Sequence, residues 1–67
     1  MPDDDEIADV RAWFAERGFE LTFRRTDGYE WADLVRGSSG AGVLGYGRGD
    51  SKAAAAARAK ERYEQEQ

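Results

Sequence analysis

From residue 19 to residue 24 apolar and polar side chains alternate without a break, Phe19-Glu20-Leu21-Thr22-Phe23-Arg24. That period of two predicts a strand with one buried face. Asp27-Gly28 follows, the preferred centre of a two-residue type I′ hairpin, because both central positions need positive φ. A turn there sets Thr26 opposite Tyr29, Arg24 opposite Trp31, Phe23 opposite Ala32 and Leu21 opposite Leu34. Leu21, Phe23, Ala32 and Leu34 then share the core face, and Thr22, Arg24, Tyr29, Trp31 and Asp33 the other. Gly37 to Gly42 has no periodicity and reads as a flexible loop. Val43 to Gly47 resumes as a third strand, with Leu44 and Tyr46 on one face and Val43, Gly45 and Gly47 on the other. The last set lies beside Trp31, which has two readings: a ring covering strand glycines, or a contact for a partner.

Helical spacing flanks these strands. Ile7, Val10 and Phe14, with Trp13 beside them, form one apolar stripe. Asp3 and Glu6 stand at capping-box spacing ahead of it, and Asp4 and Asp5 add negative charge at the favourable helix end. This acidic run reads as a solvated helix start in preference to a divalent-metal site. Arg17 and Gly18 close the helix, Gly18 as a left-handed cap with Phe19 folding back on the last turn. Near the other end, Asp50 or Ser51 caps a helix that passes through five consecutive alanines. Alanine favours the helix and lets it lie close to its neighbours. Ala56, Ala59 and Tyr63 are the expected inward stripe, and Lys60 and Glu64 an exposed i, i+4 pair. The expectation is a single α+β domain over 1–67, in the order α-β-β-β-α. Its helices fall at about 4–17 and 51–65, its strands at about 19–26, 29–36 and 43–48, with both helices on one face of a three-stranded antiparallel sheet.

Composition narrows the chemistry. At 67 residues there is room for one small core and marginal stability, so a buried catalytic cavity is not expected. With neither cysteine nor histidine, disulfides, thiolate or imidazole metal sites and imidazole-based catalysis are all excluded. Nothing brings two carboxylates to a pocket, so the chain is not expected to be an enzyme or to carry a cofactor or metal. No apolar run is long enough to cross a bilayer, and the first residues are acidic where a secretory signal needs positive charge. A cytoplasmic location is the expectation, with no membrane partner.

The net charge of −4 opposes nonspecific nucleic-acid binding, whose affinity comes largely from Lys and Arg on phosphates. Its distribution changes the picture: residues 1–9 carry −5, residues 10–60 carry +3 and residues 61–67 carry −2. The middle of the chain is mildly basic between acidic ends.

Two literal motifs carry little. Gly40-Ala41-Gly42-Val43-Leu44-Gly45 spells G-x-G-x-x-G, but a hairpin precedes it and a strand fills its second half, so it lacks the strand-to-helix setting of a dinucleotide site. Arg48-Gly49-Asp50 spells the integrin tripeptide, with its Asp at a helix start. More informative is Gly47-Arg48-Gly49-Asp50-Ser51-Lys52. There glycines permit close backbone approach, and the free N–H groups of the helix start suit a phosphate. Lys52 in the first turn opposes the helix dipole, a cost an anion would offset. An ordinary capped helix with glycines serving the turn explains the segment equally well.

On this segment the chain resembles a double-stranded-RNA-binding domain, whose second helix opens with G-x-G-x-S-K-K-x-A-K. Gly47, Gly49, Ser51, Lys52 and Ala55 match in place, while Ala53 and Ala56 stand where that family has its second and third lysines. The loop between the first two strands is only Thr26-Asp27-Gly28, without the G-P-x-H sequence common in the family. The resemblance implies contact with double-stranded RNA or other structured nucleic acid through Lys52, Arg48, Arg58, Gly49 and Ser51. Asp27-Gly28-Tyr29 with Gly49-Asp50-Ser51 before an Ala-rich helix is also similar to the small domain of HicB-type antitoxins, which bind a protein of double-stranded-RNA-binding-like fold. That family begins directly with the strand, leaving the first helix here unexplained. The competing expectation is therefore a protein-interaction module, binding a protein partner or a second copy through the open sheet face at Trp31, Tyr29 and Arg24.

Overall fold

The computed structural model describes residues 2–37 and 39–67, without the side chains of Pro2 and Asp3. Elements run α1 (Pro2–Ala15), β1 (Phe19–Thr26), β2 (Tyr29–Arg36), β3 (Gly42–Gly49) and α2 (Lys52–Gln65). The strands form one open antiparallel sheet in the order β1-β2-β3. Both helices lie on one face of it, where Val10 and Phe14 of α1 meet Ala55, Ala56 and Ala59 of α2 over Leu21, Ala32 and Leu34. This is the α+β architecture that the hydrophobic pattern predicts. No helix among the described residues is long and apolar enough to cross a membrane.

The hairpin forms in the expected register, Thr26 opposite Tyr29 through Leu21 opposite Leu34. Asp27 (φ 56°) and Gly28 (φ 80°) both take the left-handed conformation of the type I′ turn. Helix α1 starts earlier than the spacing suggests. Pro2 occupies its first position, where a missing N–H costs nothing. Asp3 therefore falls inside the first turn instead of capping it, and the predicted box with Glu6 rests on a side chain outside the described residues. At the other end the amides of Arg17 and Gly18 bond the carbonyls of Phe14 and Ala15, tightening the chain so that α1 stops at Ala15. Arg17 Nη1 donates to the Trp13 carbonyl at 2.7 Å, and its guanidinium lies 3.6 Å from the Trp13 ring.

Helix α2 is capped by Ser51, whose hydroxyl accepts from the Ala54 amide at 3.2 Å. Its buried residues are Ala53, Ala55, Ala56 and Ala59, with Tyr63 half-buried against Trp13, Phe14 and Phe19 in edge-on contacts. The predicted Lys60–Glu64 pair gives way to other contacts. Lys60 sits 5.3 Å from the Trp13 ring centroid, and the ion pair in the last turn joins Arg62 to Glu66 at 3.7 Å. The segment 37–42 is tied down by bonds from the Gly40 amide to the Arg36 carbonyl and from the Arg36 amide to the Ala41 carbonyl, with Ser38 outside the described residues.

The largest departure is in β3. Ala32 pairs with Gly47 and Leu34 with Val43, so that Asp33 alone faces Leu44, Gly45 and Tyr46. This bulge breaks the alternation. Tyr46 and Gly47 both face the helices, Tyr46 within the core cluster and Gly47 directly under Ala55 and Ala59. Leu44, expected beside Tyr46, is 75 % exposed. Of the glycines expected beneath Trp31, only Gly45 is there; a Cβ on it would lie 3.1 Å from Trp31 Cε3.

Candidate functional site

The bulge is held by one buried carboxylate. Asp33, its side chain 7 % exposed, accepts the Gly45 amide on Oδ1 at 2.6 Å and Arg24 Nε on Oδ2 at 3.0 Å. Gly45 takes φ +67°, a conformation that L side chains rarely adopt. The ladder thereby re-aims the end of β3, bringing Arg48 beside Trp31 and Tyr46 beneath α2.

Between the end of β3 and α2 lies a groove of about 430 Å³. It is lined by Tyr29, Tyr46, Arg48, Arg58 and Arg62 together with Gly47, Gly49 and Asp50. The helix can come this close because positions 47 and 49 lack side chains: a Cβ on Gly47 would lie 2.4 Å from the Ala55 carbonyl oxygen, and one on Gly49 2.6 Å from Ala54 Cβ. Ala54, Arg58 and Arg62 are spaced by four along α2, so they share one face and line the groove together.

The three guanidiniums are held differently. Arg48 stands 4.7 Å from the Tyr29 ring centroid and 5.7 Å from that of Trp31. Arg62 donates to the Tyr46 carbonyl at 3.3 Å, lies 4.4 Å from the Tyr46 ring and is neutralised in part by Glu66. Among the described residues Arg58 makes no ion pair and is exposed. The acid on the groove wall is Asp50. Tyr46 is 8 % exposed and its hydroxyl donates to Glu66; burial first, then that carboxylate, push its pKa up to about 12.

Of the residues singled out in the sequence, Arg48, Arg58 and Gly49 converge on this groove, and Tyr29 joins them from the open face. Lys52 is exposed at the start of α2 but does not line the groove, and the Ser51 hydroxyl already serves the cap. Trp31 lies over Gly45 on the open face, donating Nε1–H to the Thr26 carbonyl at 3.2 Å, with the Arg24 guanidinium 5.4 Å from its ring. Arg48 thus joins the two sets of residues into one continuous surface. Arg62 and Tyr46 escaped the sequence reading. The i, i+4 relation of Arg58 and Arg62 was a usable signal for the first; Tyr46 depended on the bulge. Among the described residues no group of three acidic side chains is placed to hold a metal ion.

Compared with known proteins, the chain matches no family model, no curated protein and no solved structure.

Proposed function

We propose that this domain is a non-catalytic module that binds structured nucleic acid, with phosphates held in the groove between β3 and α2. The observation that carries this reading is the convergence of Arg48, Arg58 and Arg62 on one concave surface in a chain whose net charge is −4. Like charges gathered against the overall sign repel one another, and an anion relieves that cost. Guanidiniums suit phosphate oxygens through paired N–H donors. The half-exposed Tyr29 ring at the edge offers a face for a base, and Lys52 with the amides of the α2 start extends the positive surface along a bound backbone. The resemblance to double-stranded-RNA-binding domains favours an RNA helix as the first ligand to test.

The test is a titration of a labelled RNA hairpin at two salt concentrations with the native chain, Arg58→Ala and Lys52→Ala. Arg58→Ala should weaken binding and flatten the salt dependence by about one released counterion. Lys52→Ala should have the smaller effect. Salt-insensitive binding, or an Arg58→Ala curve that overlays the native one, would sink the proposal.

A second reading, docking of a protein on the open sheet face, is favoured by Leu44, which is 75 % exposed and precedes Gly45, the residue under the Trp31 ring. For that reading Trp31→Ala should abolish an assembly seen by sedimentation while leaving RNA binding in place.

A further inference from the structure

An open three-stranded sheet has two edges, and only one of them is interrupted here. The β3 edge is broken by its bulge, a common device against strand pairing. The β1 edge has none: β1 pairs with β2 over its whole length without a register shift, and contains neither proline nor lysine. Among the described residues no backbone hydrogen bond reaches its outer side. A groove of about 430 Å³ runs along it, lined by Phe19, Leu21 and Phe23 with Arg11 and Ala15 of α1 above. A regular, partly apolar, uncovered edge is a template for another strand.

The free backbone groups can be assigned. A two-residue turn closes on a hydrogen-bonded pair, here Thr26–Tyr29, and bonded and non-bonded pairs alternate from there. The bond from the Gly37 amide to the Gly18 carbonyl and the turn of the Arg36 amide toward Ala41 agree with that phase. The N–H and C=O groups of Phe19, Leu21, Phe23 and Arg25 therefore point away from β2.

We propose that β1 pairs antiparallel with β1 of a second copy of this chain, about a two-fold axis through Thr22, making one six-stranded sheet. The sequence of the edge is self-complementary in that register alone among its neighbours. Glu20 faces Arg24 of the other copy, and Arg24 faces its Glu20, on the open side. Thr22 meets Thr22 on the axis, a favourable cross-strand pair. On the helix side Leu21 lies beside Phe23, and Phe19 beside the Arg25 guanidinium. Each outward N–H and C=O finds a partner in the same register. Moving the axis to Phe23 sets Leu21 against Arg25, and moving it to Leu21 sets Glu20 against Thr22; both lose the charge match. Arg24 retains free Nη donors for the contact while Nε holds Asp33. Contacts repeated twice about a closing axis give a dimer and not a fibre. This pairing is independent of what the groove between β3 and α2 binds.

The test uses sedimentation of the full chain with two substitutions at exposed or half-exposed positions, plus a cysteine scan. The native chain should sediment at twice the chain mass. Thr22→Lys, which places two ammonium groups on the axis, and Glu20→Lys, which sets lysine against Arg24, should each return it to monomer with an unchanged circular-dichroism spectrum. Because the chain has no cysteine, Thr22→Cys should oxidise to a disulfide-linked dimer. Glu20→Cys should not, since its copies stand several residues apart across the axis and beyond disulfide reach. A native monomer at all concentrations overturns the proposal. So does a dimer that survives Thr22→Lys, or one in which Glu20→Cys cross-links as readily as Thr22→Cys; either would place the contact on another surface.

Discussion

A single carboxylate decides the path of the last strand. Asp33 satisfies the Gly45 amide and pairs with Arg24 while almost fully buried, so removing it strands a half-buried donor and leaves a guanidinium without its partner. Asp33→Ala should destabilise the fold by about 1–3 kcal/mol in urea titration, and Asp33→Asn, which keeps an acceptor, by less. Tyr46 gives a pH signature of the same region. The unfolded chain releases its phenolic proton near 10.0, whereas burial and Glu66 hold it in the folded chain to about 12. The folded state then binds more protons than the unfolded state across that window. Its contribution is fully present below pH 10.0 and is lost as pH rises toward about 12. The stability difference between the native chain and Tyr46→Phe should be constant below this window and shrink through it; a constant difference throughout would contradict the assignment.

At the scale of elements, the fit of α2 on β3 depends on what is missing from the strand. Gly47 faces backbone atoms of Ala55 and Ala59, which cannot yield as a flexible side chain would. Gly47→Ala should cost about 3 kcal/mol, the upper end of ordinary overpacking, and should open the groove by lifting α2. Gly28→Ala makes the contrast. Among the described residues, its chain neighbours aside, nothing lies within 4 Å of its added Cβ, so its cost, about 1–2 kcal/mol, comes from the left-handed backbone. Comparing the two by thermal melts separates close packing from conformational preference. The alanine run has the same logic from the helix side: Ala53, Ala55, Ala56 and Ala59 are buried because larger side chains would hold α2 off the sheet.

For the molecule as a whole, one side chain joins both helices to the sheet. Among the described residues Phe14 is the large side chain with no exposed surface, in edge-on contact with Trp13 and Tyr63 and packed within the cluster that unites both helices and the sheet. Phe14→Ala should cost about 3–5 kcal/mol, against a total of roughly 3–10 kcal/mol for a domain of this size. Helix and sheet signals should vanish together in circular dichroism; loss of α1 alone would show that the helices fold independently. The order of elements, the hairpin register from Thr26 to Leu21 and the start of α2 at Ser51 were legible in the residues. Each is set by interactions within a few positions: alternation, a positive-φ dipeptide, a capping hydroxyl. The groove was legible only in part, through Arg48, Gly49 and Arg58. Period-two counting past Val43 failed because the bulge arises from Asp33 reaching across the sheet to Gly45, a contact between residues far apart in the chain. Strand faces after that point, the burial of Tyr46 and the exposure of Leu44 all follow from it, and so belonged to the tertiary structure: local spacing carries no information about which distant carboxylate will accept a given amide.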